Sequence, residues 1–186
     1  MADDRRTEHD DLIRELQDPR TCRAAFNRVI HMYSEQLYHQ IRRMVPNHDD
    51  ASDLLQNTFM KAWQSLEYFR GDAKLTTWLY KIAVNESLTF LAKERKRLAL
   101  SIDDEESLLS NQIEADTYFD GDRAQELLRQ AIVTLPEKQR LVFNMKYYDD
   151  MKYEEMSEIL GTSVGALKAS YHLATKKIEK FLEDHQ

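Results

Sequence analysis

One cysteine, three prolines and four glycines are all that 186 residues hold for cross-links and tight turns. Cys22 has no second cysteine to pair with, so an internal disulfide is excluded, and no Cys/His cluster has metal-ligand spacing. No metal and no cofactor are therefore expected. The scarcity of glycine and proline argues against a sheet protein, which needs many tight turns, and for helices. No run approaches the roughly 20 apolar residues of a membrane span, and residues 1–11 are acidic and polar, without the apolar core of a signal peptide. A cytoplasmic, reducing location is expected. There is no internal repeat, no phosphate-cradling glycine loop and no nucleophile paired with a base, so no catalytic residue is assigned and an enzyme is not expected.

The formal charge of −7 argues at first against nucleic acid, which selects basic proteins. Its distribution reverses that impression. Residues 1–97 carry 16 basic and 15 acidic side chains, residues 123–186 carry 10 of each, and residues 98–122 carry 8 acidic and no Lys or Arg. The excess negative charge thus sits in one connecting segment, and its flanks are free to carry basic faces. That segment lacks sustained apolar periodicity and reads as an acidic linker.

Before the linker, Phe26, Val29, Ile30, Tyr33, Leu37, Ile41 and Met44 recur at helical spacing until Pro46 and the polar residues after it interrupt them. A second stripe, Leu55, Phe59, Ala62, Trp63 and Leu66, follows Asp49, Asp50 and Asp53, which suit a helix N-terminus. Past the turn at Phe69-Arg70-Gly71-Asp72, Leu75, Trp78, Leu79, Ile82 and Ala83 open a third helix ending in Lys93-Glu94-Arg95-Lys96-Arg97. Residues 20–97 thus read as one helical domain, with 1–19 as an N-terminal extension. After the linker, Ala124, Leu127, Leu128, Ala131 and Ile132 form a stripe, and Thr134-Leu135-Pro136-Glu137 has the pattern of a capping box.

Residues 153–160 predict a short helix with Met156, Ile159 and Leu160 inward. Gly161 supplies a permissive backbone at its end, and Thr162-Ser163 cap the next helix. That helix has Val164, Leu167, Tyr171, Ala174, Ile178 and Phe181 on one side and Lys168, His172, Thr175, Lys176 and Lys177 on the other. Two short helices around a tight turn, the second with a mildly basic polar face, are what a major-groove reader needs, although a plain helical bundle shares the pattern.

At this point the chain resembles the extracytoplasmic-function group of bacterial sigma-70 factors. The segment from Asp49 to Trp63 is similar to the family's core-polymerase-binding region. Phe69-Arg70-Gly71-Asp72 with Thr77-Trp78-Leu79-Tyr80-Lys81-Ile82-Ala83-Val84-Asn85 resembles its promoter-melting and −10 segment. Leu135-Pro136-Glu137-Lys138-Gln139-Arg140 and residues 153–161 resemble its −35-binding domain. The resemblance implies an all-α protein of two small helical domains, a region 2-like bundle and a region 4-like helix-turn-helix, joined by the acidic linker. It implies a transcription initiation factor that directs core RNA polymerase to promoters.

On that resemblance, Asp53, Leu54, Gln56, Asn57 and Lys61 meet core polymerase. Phe69, Arg70, Gly71, Asp72, Lys74, Trp78, Lys81, Asn85, Lys93, Arg95, Lys96 and Arg97 meet the melted non-template strand of the −10 element and its flanks. Thr162, Ser163, Val164, Lys168, His172, Thr175 and Lys176 meet the −35 duplex. Stacking one base on an aromatic ring contributes about 1 to 3 kcal/mol, enough for one flipped nucleotide and not for a bubble, so polymerase must share the work. From the residues alone Phe69 reads equally as a base-stacking ring or a hydrophobic plug, and Phe59 and Trp63 read as core. Asn85 reads as an amide close to the apolar stripe that avoids an unpaired burial by facing a ligand.

The resemblance also implies an anti-sigma partner, no membrane insertion, and a linker able to occupy the RNA exit channel. A stand-alone helix-turn-helix regulator and a helical adaptor are the competing readings.

Overall fold

The computed structural model describes residues 11–45, 47–71, 74–100 and 123–185, which form helices joined by short turns and contain no strand. Helix α1 spans residues 11–17, α2 Cys22–Arg42 and α3 His48–Gln64. A 3₁₀ turn covers Leu66–Tyr68, and α4 runs Leu75–Leu100. The C-terminal unit has α5 Arg123–Val133, α6 Glu137–Tyr147, α7 Tyr153–Leu160 and α8 Val164–Asp184. Of the segment 98–122 read as a linker, residues 98–100 continue α4, and 101–122 lie outside the described residues, as do Asp72 and positions 1–10.

Each helix forms for local reasons. Asn47 caps α3, its side-chain oxygen accepting from the Asp50 amide at 2.8 Å, while Asp49 and Asp50 meet the positive end of the helix dipole. Ala51, Leu54, Thr58, Phe59 and Ala62 then recur at three- and four-residue spacing and are buried. The Thr58 hydroxyl is accommodated there by donating to the Leu54 carbonyl at 2.7 Å. On α2 the matching stripe is Ala25, Phe26, Val29, Leu37 and Ile41, and the Phe26 ring meets Phe59 and Trp63 edge-on.

The bundle begins earlier than residue 20. Leu12 and Leu16 of α1 are in the core, and the Thr21 hydroxyl donates to the Glu15 carbonyl at 2.8 Å, holding α1 against the start of α2. The short amphipathic run in the extension is thus part of the fold, because one turn-spaced leucine pair suffices to cover the end of the bundle.

Helix α4 is central. Leu75, Leu79, Tyr80, Ala83, Val84, Ser87 and Leu91 are all buried and spread around much of its circumference, because α2, α3 and α7 all pack against it. Buried leucines of α4 and buried Met156 and Ile159 of α7 belong to one continuous apolar cluster, so the two units share a core. A second cluster, Ala131, Ile132, Leu135, Phe143, Ala174 and Ile178, holds α5, α6 and α8 together.

The expected capping box at Thr134 does not form. Helix α6 starts at Glu137 with Pro136 before it, the Thr134 hydroxyl donates back to the Ala131 carbonyl at 2.7 Å, and Glu137 reaches Arg95 of α4 instead. A carboxylate in the first turn can serve the helix dipole without closing a box, and a cation from the other unit is the stronger partner.

Gly161 ends α7 in the left-handed region at φ 62°, its amide donating to the Ser157 carbonyl at 2.9 Å, and Ser163 caps α8 by accepting from the Ala166 amide. Space around Gly161 is open, so its conformation alone penalises a side chain. Gly161→Val is expected to cost about 1 to 2 kcal/mol, read as a lower denaturant midpoint with an unchanged slope, and Gly161→Asn distinctly less.

Candidate nucleic-acid and polymerase interfaces

On α3, Asp53, Gln56 and Asn57 are exposed and fall on one face by helical spacing. They continue into Met60 and Trp63, which remain 53% and 43% exposed. Beside them lies an open apolar groove of about 470 Å³ between α2 and α3, lined by Ile30, Leu55, Gln56, Met60 and Trp63 among others. A polar rim along an exposed aromatic and a methionine is the composition of a protein-binding surface. Sequence reasoning placed Trp63 in the core and overlooked Met60. Trp63 meets Phe26 edge-on with ring centres 5.1 Å apart yet stays largely exposed, and Met60 was legible as a residue of the otherwise polar face.

Leu54 is a correction. It is 5% exposed and belongs to the core cluster, so it supports α3 from beneath. Lys61 is exposed but pairs with Glu86 of α4, which places it at the border of the face.

Around the turn before α4, Arg70 and Lys74 are exposed and Gly71 is half-buried at φ 80°. Asp72 lies outside the described residues. Phe69 is a second correction. It is 6% exposed, its ring 4.8 Å from that of half-buried Trp78, and so it plugs the end of the bundle. The tightness of the turn and the apolar ring beside it decide this, since an exposed Phe69 would leave Trp78 uncovered.

Lys74, Trp78, Lys81, Asn85 and Lys96 fall within a narrow angular range on one side of α4, at steps of three, four and eleven residues. Asn85 is exposed on that stripe, so its amide avoids an unpaired burial. Lys93, Arg95 and Arg97 are exposed but turn away from the stripe. Arg97 pairs with Glu94 at 2.8 Å and Arg95 with Glu137 at 3.0 Å. The face of α4 can therefore offer one ring, two ammonium groups and an amide to a strand running along it, with Lys96 further out.

On α8, Ser163, Lys168, His172 and Lys176 are exposed, and Thr162, Val164 and Thr175 are half-buried. The hydroxyls of Thr175 and Thr162 donate to their own backbone, to the carbonyls of Tyr171 and Leu160. Lys168 carries its ammonium 5.6 Å from the centre of the Tyr153 ring, which steadies it at the mouth of the helix-turn-helix. Leu173, 50% exposed, is an addition that the periodicity did not mark. An exposed apolar side chain on this helix suits contact with a thymine methyl or a protein neighbour.

Beside their shared apolar core, the two units also meet through polar contacts. Arg43 pairs with Asp149, its guanidinium lies 5.0 Å from the Tyr148 ring centre, and its carbonyl accepts from the Asn144 amide at 3.3 Å. Burial raises the Asp149 carboxyl above its ordinary range, against the opposing pull of Arg43. Lys74 meets Glu155 at 2.5 Å, and the hydrogen bond from its ammonium holds that carboxyl below the usual range. Next to these contacts is a cavity of about 570 Å³ whose lining includes Arg42, Arg43, Arg129, Arg140, Tyr147 and Tyr148. Among the described residues no group of three His, Cys, Asp or Glu side chains could hold a metal ion, and no helix is long and apolar enough to cross a membrane.

Comparison with known proteins places this geometry. The Sigma-70 region 2 family model matches residues 29–97, and the Sigma-70, region 4 model matches residues 125–178. The chain is 30% identical to the ECF RNA polymerase sigma factor SigW of Bacillus subtilis over 168 residues, covering 86% of this chain and 90% of that protein. It is 31% identical to the ECF RNA polymerase sigma-E factor of Escherichia coli K12, covering 83% and 85%. The fold is shared with the sigma factor RpoE of Bartonella quintana, whose structure was determined in complex with the anti-sigma factor NepR. The TM-score is 0.63 at 23% identity, over 85% of this chain and 96% of that one.

The contrasting burial of two residues assigned to the same strand contact is directly measurable. Phe69→Ala should lower unfolding free energy by about 3 kcal/mol or more, as for a buried ring, whereas Asn85→Ala should stay within about 0.5 kcal/mol of the parent in urea titrations.

Proposed function

Since the chain belongs to the sigma-70 family, in its extracytoplasmic-function group, we propose that its three exposed faces divide the work of promoter-directed initiation in the cytoplasm, with no catalytic site of its own. The α3 face, Asp53, Gln56, Asn57, Met60 and Trp63, docks on core RNA polymerase. The α4 stripe holds the non-template strand of the −10 element: Arg70 and Lys74 meet phosphates at the turn, Trp78 offers a ring edge, and Asn85 offers donor and acceptor to a base. The basic end, Lys93, Lys96 and Arg97 with Arg95, follows the duplex upstream. In the −35 element α8 enters the major groove, with Lys168 and His172 toward bases and Lys176 toward phosphate.

The observation that carries this reading is the alignment of Lys74, Trp78, Lys81 and Asn85 along one side of a helix whose other sides are covered by packing. A strand-binding surface needs a ring, an amide and cations in a row, and that row survives as the solvent-facing part of α4. A regulator acting alone would need α8 to supply all the affinity. Its residues include lysines and a histidine but no arginine, so no planar fork is available for guanine, and binding by the isolated face is weak. A partner of the anti-sigma class, as in the Bartonella complex, is proposed to meet the same two units.

Transcription from a randomised promoter library with core polymerase tests the whole reading. Initiation at a recurring pair of elements is the expected result, and tight duplex binding by the chain without polymerase would count against it. Asp53→Arg should weaken core binding roughly tenfold or more in a pull-down titration and leave thermal unfolding unchanged. Lys168→Ala should weaken −35 duplex recruitment by the holoenzyme and reduce the logarithmic salt slope by about 0.9, with core association unaffected.

A further inference from the structure

The cavity of about 570 Å³ takes its cations from three helices. Arg42 and Arg43 stand at the end of α2, Arg129 is on α5 and Arg140 on α6. None of the four is assigned above to polymerase or to DNA, and among the described residues no Asp or Glu lines the space. Guanidinium groups gathered around a volume of small-ligand size suit a phosphate, because each presents paired N–H donors to its oxygens. Arg43 meets Asp149, and Arg129 meets Glu126 at 2.7 Å; these carboxylates orient the two side chains, and neither lines the cavity. Burial holds the Arg140 guanidinium below its ordinary pKa against the pull of Glu137, so a further negative charge beside it favours its charged form.

Two other features of the wall indicate what such a phosphate is attached to. The rings of Tyr171, Phe143 and Tyr147 form a stack, with centres 5.7 and 5.1 Å apart and interplanar angles of 13° and 16°. Tyr147 is its outer member, 52% exposed and in the cavity wall, so one more planar ring can extend the stack. Asn144 also lines the cavity and is buried. Its amide nitrogen donates to the Arg43 carbonyl at 3.3 Å, whereas its oxygen has no hydrogen-bond partner among the described residues. A buried acceptor left in that state is answered by an N–H donor.

Phosphate for the arginines, a planar ring for Tyr147 and an N–H for Asn144 together describe one chemical class. We propose that this cavity binds a phosphorylated nucleotide whose base carries an amino group, with the base on the Tyr147 ring and the phosphates among the arginines. The site draws on both units and is separate from the faces of α3, α4 and α8.

The test uses the full chain without polymerase, in low-salt buffer free of divalent cations. Isothermal titration calorimetry compares GTP, guanosine and inorganic triphosphate as probes. GTP is expected to bind one site per chain with a roughly micromolar Kd, and each of its two fragments at least about tenfold more weakly. Arg129→Gln should weaken GTP about tenfold, while Lys180→Gln, which removes an exposed cation of α8 outside the cavity, should match the parent. Tyr147→Leu should weaken GTP about fivefold or more, and Tyr147→Phe, which keeps the ring, should bind like the parent. Thermal unfolding without ligand checks the fold of each variant; should Arg129→Gln not fold, the two Tyr147 variants decide. Absence of GTP binding by the parent overturns the site. Equal weakening in the Lys180 variant overturns it as an effect of net charge, and triphosphate binding as tight as GTP overturns it as a site for polyanions only. Binding that appears only after Asp120→Asn and Asp122→Asn assigns the arginines to the chain's own acidic segment and also overturns the proposal.

Discussion

Burial of α4 from several directions is the constraint on which the rest of the molecule depends. Its apolar residues face α2 and α3 within the N-terminal unit and α7 from the C-terminal unit, with Leu75, Leu79 and Ala83 wholly buried. Little of the circumference is left over, and that remainder is polar: Lys74, Lys81 and Asn85 with the edge of Trp78. The surface assigned to the −10 strand is therefore defined by exclusion. A packed helix is rigid on three sides, so the groups on its fourth side are held in register with little entropy left to lose on binding. Past Leu91 no described side chain of α4 is buried, and there the helix becomes a basic rod.

Electrostatics follow the same division. The chain is acidic in total, yet cations line α4 and the end of α2, and Arg43, Lys74 and Arg95 meet carboxylates of the C-terminal unit. The most buried of the pairs, Arg43 with Asp149, is tied to backbone through Asn144. The more exposed ones, Lys74 with Glu155 and Arg95 with Glu137, involve cations proposed to meet DNA. The same logic explains why a net negative chain can bind nucleic acid, since local field and not total charge governs encounter.

Membership in the extracytoplasmic-function sigma factors gives these surfaces a common task. On the proposed assignment, core polymerase, melted strand and duplex each meet a different helix, α3, α4 and α8. Met60 and Trp63 beside the polar residues of α3 supply the apolar component that a protein partner requires and a nucleic acid does not.

Much of this was readable from residue order. Helix positions, the break at Pro46, the Gly161 turn and the division of charge into two near-neutral units and an acidic connection are local properties, because a period of 3.6 residues and a capping side chain act within a few positions of themselves. The family resemblance lay in such local segments as well. What periodicity could not tell was which neighbour covers an apolar face. Phe69 and Leu54 turned inward, Trp63 outward, and Leu12 and Leu16 joined the core from a segment read as an extension. Glu137 left its expected cap for Arg95, and Lys74 and Glu155 met across 81 positions of sequence, Arg43 and Asp149 across 106. Those choices belong to tertiary structure, because a charge or a ring chooses among partners brought close by packing, and nothing in its flanking sequence encodes how far along the chain that partner lies.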